Sequence, residues 1–167
     1  KGIVKAIASI PGPFYVRLTR SATPVVYDGG FEYKFGEANV LRDGSDVVVF
    51  ACGIMVPEAL KAAESLKAGG ISASVVDTHT VKPIDSGTIL RFAQKCGRVV
   101  TAEEHNILGG MGSSVAEVLG EGHPAPMKRV GVMDTFGESG DPGELLKKYG
   151  LTAASIEQAA SGLVHSK

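Results

Sequence analysis

The chain has 167 residues, of which 44% are hydrophobic and 21% are charged, and its formal net charge at pH 7 is -1. A chain of this size and composition can bury the core of one ordinary globular domain. Neither a nucleic acid nor a membrane is an expected partner, because Lys and Arg are not in excess and no apolar run approaches the roughly 20 residues that span a bilayer.

The first 20 residues predict a helix and a strand that belong to another domain. Residues 3–10 are apolar, with small side chains and lysines, and indicate the end of a helix that Pro11 interrupts. Residues 14–19 are rich in aromatic and β-branched side chains, which favours a strand. Because no partner elements precede them, we interpret residues 1–20 as the remnant of a severed domain. Such a strand is expected to pack on a neighbouring copy, to swap or to be poorly ordered.

Residues 21–37 contain a proline and three glycines and are predicted to be a linker. Residues 38–167 form the predicted main domain. It begins with a strand at residues 38–42, and Asp43 and Gly44 are typical of a hairpin turn. The first strand is therefore expected to run antiparallel to the second, the continuous apolar run at residues 47–51, which is typical of a strand buried on both faces.

Strands and helices alternate through the rest of the chain. Further strands are predicted at residues 71–76, 98–102 and 129–133. Asp85 and Thr152 are predicted helix N-caps, and Gly97 is expected to end the helix that Asp85 begins. Alternating elements imply parallel crossovers with helices on both faces of a sheet. The predicted fold is a three-layer α/β/α sandwich with a mixed, mostly parallel sheet of about five strands, the first one antiparallel.

A glycine-rich turn at residues 109–112, followed by two serines, lies between a predicted strand and a predicted helix. Free amides at a helix N-terminus attract anions, and Gly110 and Gly112 would let a ligand approach the backbone. The pattern is neither the dinucleotide-binding G-x-G-x-x-G motif nor a P-loop. We therefore favour close packing of the turn over a nucleotide site.

Glu103, Glu104 and His105 follow a predicted strand, at the carboxyl edge where open α/β sheets place their sites. Paired acids beside a histidine could perform acid–base catalysis. The alternative, which we favour, is that they cap the neighbouring helix and form bonds across a domain interface. With Gly110 and Gly112, they make a candidate interface or anion site.

Other chemistries find less support in the sequence. No metal site is expected, because the four histidines lie far apart and none is paired at i and i+4. Cys52 and Cys96 form no C-x-x-C pattern and are predicted to be buried free thiols of a cytoplasmic protein. Arg20, at the exit of the first predicted strand, could bind a phosphate or a carboxylate with two hydrogen bonds.

Several segments, in order and spacing, resemble the transketolase family. Residues 15–20, Tyr-Val-Arg-Leu-Thr-Arg, are similar to the stretch that closes the pyrimidine-binding domain. Residues 46–53, Val-Lys-Pro-Ile-Asp at 81–85 and Glu-Glu-His-Asn at 103–106 with the glycine-rich turn are similar to the carboxy-terminal domain. The ending, from Phe-Gly-Glu-Ser-Gly at 136–140 onward, is specifically similar to transketolases.

The resemblance implies a transferase of the pentose phosphate pathway, which moves a two-carbon ketol unit between sugar phosphates. It uses thiamine diphosphate and Mg²⁺ or Ca²⁺, held by an amino-terminal domain whose Gly-Asp-Gly motif this sequence lacks. No cofactor is therefore expected on this chain, and none of its residues is an expected catalytic residue. Arg20 matches the family arginine that binds the sugar phosphate.

The resemblance also implies partners and a division of labour. Residues 1–20 correspond to the last helix and strand of the pyrimidine-binding domain, and residues 38–167 to the carboxy-terminal domain. The expected partners are the remaining domains, or an amino-terminal subunit, within a homodimeric enzyme. This chain is expected to support assembly and to be inactive alone.

Three alternatives remain open at this point. The chain resembles, less closely, the carboxy-terminal domains of deoxyxylulose-phosphate synthases and of 2-oxoacid dehydrogenase β subunits. In the latter the domain is a docking or regulatory module that holds a partner subunit. An independent nucleotide-binding protein that uses residues 109–114 is the third.

Overall fold

The computed structural model describes residues 2–27 and 29–166. The strands are β1 (Asn39–Arg42), β2 (Val47–Ala51), β3 (Ala73–Asp77), β4 (Val99–Asn106) and β5 (Met127–Val132). The helices are α1 (Gly2–Ile7), α2 (Met55–Ala68), α3 (Ser86–Cys96), α4 (Met111–Gly122), α5 (Pro142–Lys148) and α6 (Ala153–His165). Within the ranges described, no helix has the length and apolar character needed to cross a bilayer.

The predicted three-layer sandwich with a mixed, mostly parallel sheet is confirmed. The strand order is β1-β3-β2-β4-β5, and every pairing is parallel except that of β1 with β3. The central strand β2 shows why both faces are covered. Its alternate residues Val47 and Val49 pack with α2 and α6, whereas Val48 and Phe50 pack with α3 and α4. All four side chains are fully buried, as expected for an uninterrupted apolar strand.

The hairpin predicted at Asp43 and Gly44 is wrong, although β1 does run antiparallel to the other strands. β1 pairs with β3, not with β2, and β3 lies between them in the sheet. The chain leaving β1 crosses the beginning of β3. There the Gly44 amide donates to Ser74 Oγ at 2.8 Å, and the same hydroxyl donates to the Gly44 carbonyl at 2.9 Å. The Asp43-Gly44 sequence does not form a hairpin turn, because β3, which is distant in the sequence, pairs with β1 and separates it from β2.

The helix ends follow the predicted capping chemistry. The Asp85 carboxylate accepts a hydrogen bond from the Thr88 amide at 2.9 Å, and the Thr152 hydroxyl accepts one from the Ser155 amide at 3.3 Å. Gly97 ends α3 in the left-handed conformation, with φ of 68°. These three predictions are confirmed, because each depends only on neighbours in the sequence.

Residues 14–19 do not form the predicted strand. Within the described part of the chain they have no regular secondary structure and make no backbone–backbone hydrogen bond, so no ladder exists. The segment contacts the end of β4, which is not an edge strand. Its main fastening is Arg17, whose guanidinium donates to the Glu104 carbonyl at 2.8 Å. Residues with strand-forming side chains form a strand only where another strand is available for pairing, and residues 14–19 have none.

The residues predicted to be a linker lie against the main domain. The Tyr27 hydroxyl donates to the Asp77 carboxylate, and the Tyr33 ring lies 4.6 Å from the His79 ring, between centroids. The Gly36 amide donates to Thr80 Oγ1 at 3.4 Å. This segment therefore forms a strap across the end of β3.

Candidate functional site

The carboxyl edge of the sheet is the position where doubly wound folds bind ligands. β2 and β4 are neighbours, yet the helices that follow them lie on opposite faces, α2 on one and α4 on the other. After β2 the chain turns to one face of the sheet, and after β4 it turns to the other. Cys52 after β2 and Glu103 of β4 lie on the α4 face of this edge, whereas Asp77 at the end of β3 lies on the α2 face.

β4 continues four residues beyond its predicted end at Ala102 and terminates at Asn106. The candidate residues Glu103, Glu104 and His105 therefore belong to the strand and do not follow it. Their side chains alternate between the two faces, as strand geometry requires. Glu103 is buried, with 3% of its surface exposed, and His105 is exposed.

Glu103 caps α4 across the fold. Its carboxylate oxygens accept hydrogen bonds from the amides of Met111 at 2.7 Å and Gly112 at 2.8 Å, the first two residues of the helix. A negative charge at a helix N-terminus is favourable, because it satisfies free amides and opposes the helix dipole. The favoured interpretation, capping, is confirmed for Glu103. The amides that an anion would use are already taken by this carboxylate.

Gly110 and Gly112 are required by this close packing. A Cβ at Gly110 would overlap Glu103 Oε2, and a Cβ at Gly112 would lie 2.7 Å from Thr101 Oγ1. Both glycines are buried beneath the polar cluster. The glycines therefore let the β4 acid approach the helix, which a larger residue would prevent.

Glu104 and His105 face the surface at the same edge. Glu104 Oε2 lies 3.3 Å from the guanidinium of Arg17, which ties the amino-terminal segment to β4. The His105 ring Nδ1 lies 2.9 Å from the backbone carbonyl oxygen of Asn106. The Arg17 contact holds the amino-terminal segment at the carboxyl edge, but neither contact places an acid and a base in a shared catalytic pair.

Arg20 lies three residues beyond this fastening. It is exposed, and in the part of the chain described here it makes neither a hydrogen bond nor an ion pair. Its guanidinium is thus free to meet an anion. Its role as a phosphate contact stays a prediction.

Asp77 is a polar group that the sequence analysis missed. It is buried, with 6% exposed, and its Oδ1 has no partner among the described residues, while the Tyr27 hydroxyl donates to Oδ2. Burial raises the pKa of Asp77 above 3.8, and the Tyr27 hydrogen bond and nearby His79 oppose that rise. Burial lowers the pKa of His79, and Asp77 opposes it. The sequence feature that could have identified Asp77 is its position directly after the predicted apolar strand at residues 71–76.

A cavity of about 350 Å³ lies beside this carboxylate. Asp77, His79 and Tyr27 line it with Gly53 and apolar residues of the strap and of α2. The volume is at the lower end of small-molecule sites. The strap closes it on one side.

Cys52 is a half-buried free thiol, and Cys96 is a buried one. Burial raises the pKa of Cys52 to about 12, and the carboxylates of Glu103 and Asp77 contribute in the same direction. Because the thiolate is the reactive form, a thiol with this pKa is a poor nucleophile at neutral pH. Cys52 is therefore a packing residue of the carboxyl edge.

Tyr27→Phe is expected to lower the free energy of unfolding by about 1–2 kcal/mol near neutral pH, because a buried carboxylate loses its donor. The lost hydrogen bond lowered the pKa of Asp77, so the variant raises that pKa further. The ionic penalty exists only while the folded protein holds Asp77 ionised, and the unfolded chains of variant and parent titrate alike. The difference in unfolding free energy is therefore expected to shrink as the pH falls through the raised folded-state pKa values of Asp77, above 3.8.

Urea unfolding across this pH range measures the effect. Tyr33→Phe is the matched control, because the Tyr33 hydroxyl bonds a neutral partner, Thr80 Oγ1, at 3.2 Å. Its cost is expected to be independent of pH. A loss of unfolding free energy in Tyr27→Phe that stays constant down to pH 3.8 would contradict the hydrogen bond from Tyr27 to an ionised Asp77.

Comparison with known proteins identifies relatives along almost the whole chain. The family profile described as "Transketolase, C-terminal domain" matches residues 36–156. The 6-deoxy-6-sulfo-D-fructose transketolase subunit of Clostridium sp. (strain MSTE9) is 49% identical over 156 residues, which are 93% of this chain and 48% of that protein. The 1-deoxy-D-xylulose-5-phosphate synthase of Trichormus variabilis is 38% identical over 160 residues, 93% of this chain and 25% of that protein.

A solved structure shares the fold at high similarity. It is described as "Split gene transketolase, inactive beta4 tetramer" and superposes with a TM-score of 0.94 at 48% sequence identity. The match covers 98% of this chain and 54% of that chain. The present chain therefore spans about half the length of the two relatives described as transketolases.

Proposed function

Because the chain belongs to the transketolase family, through the match of residues 36–156 to its carboxy-terminal domain, we propose that it forms the carboxy-terminal part of a two-subunit transketolase. The observation that carries the proposal is 49% identity, along 93% of the chain, to a protein named as a transketolase subunit. The proposed enzyme transfers a two-carbon ketol unit between sugar phosphates.

The proposed role of this chain is assembly. Thiamine diphosphate and its divalent metal do not fit the described residues. The α4 amides that would receive a diphosphate are occupied by Glu103. No group of three or more His, Cys, Asp or Glu side chains within residues 2–27 and 29–166 could hold a metal ion. Other polypeptide of the enzyme would therefore hold the cofactor.

Arg20 is the proposed substrate contact of this chain. Arg17 anchors the amino-terminal segment to β4 through the Glu104 carbonyl, at 2.8 Å, and Arg20 follows three residues later. A guanidinium that has no partner among the described residues, on a segment attached beside the strand ends, suits a phosphate group, which arginine binds with two parallel hydrogen bonds. The contact would position the sugar phosphate and would not take part in bond making.

We expect the chain alone to catalyse no ketol transfer, and to do so when combined with the remaining transketolase polypeptide. Production of sedoheptulose 7-phosphate from xylulose 5-phosphate and ribose 5-phosphate measures the activity. In the combined enzyme, Arg20→Ala is expected to raise KM for the phosphorylated substrates by about tenfold or more, because a hydrogen bond to a charged group is lost. Arg20→Lys, which keeps the charge, is expected to restore part of the loss.

Lys128→Ala, which removes an exposed cation from β5, is the matched control and is expected to leave KM unchanged. Ketol transfer by the chain alone would contradict the assembly role. An unchanged KM in Arg20→Ala would contradict the phosphate contact.

A second candidate is the carboxy-terminal domain of a deoxyxylulose-phosphate synthase. It is favoured by the 38% identity to the Trichormus variabilis synthase, although the match covers only 25% of that protein. Formation of 1-deoxyxylulose 5-phosphate from pyruvate and glyceraldehyde 3-phosphate, without ketol transfer from xylulose 5-phosphate, would establish it instead.

A further inference from the structure

The cavity beside Asp77 lies between the strap and the beginning of α2. Its volume is about 350 Å³. Much of its wall is apolar, because Pro24 and Val26 of the strap face Val56 and Pro57 of α2 across it. The polar part of the wall comes from the end of β3 and the residues that follow it. Small-molecule sites combine these two features, an apolar wall and a few polar groups.

Asp77 brings to this cavity a carboxylate with one unused acceptor. The side chain is 6% exposed, the Tyr27 hydroxyl donates to Oδ2, and Oδ1 has no partner among the described residues. A neutral hydroxyl compensates only part of the cost of burying a negative charge. Burial accordingly raises the pKa of Asp77. A second donor is needed here, and a positively charged donor would compensate the carboxylate best.

The cavity wall supplies no such cation. The lining residues that the structure describes include neither a lysine nor an arginine. His79 is the basic residue among them, and burial lowers its pKa below 6.5, although Asp77 opposes that change. The His79 ring is therefore mainly uncharged near neutral pH, and its Nδ1 lies 2.9 Å from Thr80 Oγ1. An ionised Asp77 leaves the cavity with a net negative charge.

An anion is a poor occupant, although α2 begins at the cavity wall. The first amides of a helix are the groups that would attract an anion. The Met55 amide donates to the Cys52 carbonyl at 3.2 Å. The Val56 amide donates to the Gly53 carbonyl, also at 3.2 Å. Pro57 has no amide proton. These positions of α2 therefore offer no free donor, and the Asp77 carboxylate would repel an anion.

A metal ion is also a poor occupant. No group of three or more His, Cys, Asp or Glu side chains in the described ranges could hold one, and metal ions in proteins take several such ligands. An ammonium group needs less, because it carries three donors and can share them among neutral acceptors. The Thr23 hydroxyl, which also lines the cavity, is such an acceptor.

We propose that this cavity binds a small organic ammonium compound, a primary amine on a short carbon body. The ammonium group donates to the Asp77 carboxylate, and the carbon body contacts the prolines and valines of the strap and α2. Because the proposal concerns binding alone, it stands or falls separately from the proposed ketol transfer.

Calorimetric titration of the chain near neutral pH with n-butylammonium, n-butanol and butyrate tests the proposal. The three probes share an apolar body and differ in charge. n-Butylammonium is expected to bind with a Kd of about 1 mM. n-Butanol is expected to bind about tenfold or more weakly, because a neutral hydroxyl forms the weaker hydrogen bond to a carboxylate. Butyrate is expected not to bind, because its charge has the same sign as that of Asp77.

The NMR resonances of the His79 ring locate the bound probe. They are expected to shift on addition of n-butylammonium, because His79 lines the cavity. The rings of His105, His123 and His165 are not part of the cavity wall and serve as controls in the same spectrum. Binding that leaves the His79 resonances unchanged would place the probe elsewhere and would overturn the proposal.

Asp77→Asn keeps the size of the side chain and removes its charge. This variant is expected to bind n-butylammonium about tenfold or more weakly and to lose the preference over n-butanol. Asp43→Asn is the matched control, because it removes one negative charge from the exposed loop between β1 and β2, and it is expected to bind like the parent. Urea unfolding checks that both variants are folded.

The comparison of the three probes on the parent chain is decisive without any variant. Absence of saturable n-butylammonium binding below about 10 mM, or equal binding of n-butylammonium and n-butanol, would overturn the proposal. A folded Asp77→Asn variant that keeps the preference for n-butylammonium would overturn it as well.

Discussion

Replacing Glu103 with alanine is expected to lower the free energy of unfolding by about 3 kcal/mol. The side chain is 3% exposed, and its two oxygens accept from the Met111 amide at 2.7 Å and the Gly112 amide at 2.8 Å. Alanine leaves both amides without an acceptor in a site that water does not reach. It also opens a cavity beneath Gly110, where the Glu103 carboxylate fills the space that a Cβ would need.

Two substitutions separate the contributions of Glu103. Glu103→Gln keeps the shape but presents an NH₂ group to one of the two amides, so about half of the loss is expected. Glu104→Ala removes the neighbouring carboxylate, whose ion pair with Arg17 is solvent-exposed, and is expected to cost about 0.5 kcal/mol. Urea unfolding with an unchanged m-value measures all three. Equal effects of Glu103→Ala and Glu104→Ala would contradict the capping role.

The sequence predicted the Glu103 cap but not the contacts that surround it. Only residues 107–110 separate β4 from α4, yet the packed fold is needed to show that Gly110 and Gly112 lie against the acid. Asp85 and Thr152, in contrast, cap helices that begin at the next residue, so their roles were readable from the sequence. Sequence reasoning therefore predicts contacts between residues that are close in the sequence and misses contacts between residues that are distant.

The sheet shows the same distinction. The alternation of elements predicts the layers, because every βαβ unit must cover the sheet in a right-handed sense. It does not predict which strand neighbours β1, since that choice depends on packing between distant residues. Asp77 and the strap were missed for the same reason, because Tyr27 is 50 residues away from its carboxylate partner.

Gly44→Ala is expected to cost about 3 kcal/mol or more, because the new methyl group has no room. The Cβ would overlap the Ala73 carbonyl carbon and would lie 2.7 Å from both the Ala73 oxygen and the Ser74 amide nitrogen. These are backbone atoms of β3, which is paired with β1 on one side and β2 on the other. No flexible side chain can move aside, so the strand or the crossing loop must shift.

Gly120→Ala is the matched control, because no atom lies within 4 Å of its Cβ position and the residue sits in α4. This change is expected to stabilise the chain by about 0.5–1 kcal/mol, since alanine is a better helix former than glycine. Ser74→Ala removes both hydrogen bonds to Gly44 without a steric clash and is expected to cost about 1–2 kcal/mol. If Gly44→Ala cost no more than Ser74→Ala, the crossing would be held by hydrogen bonds and not by close backbone contact. The placement of β3 beside β1 would then need another explanation.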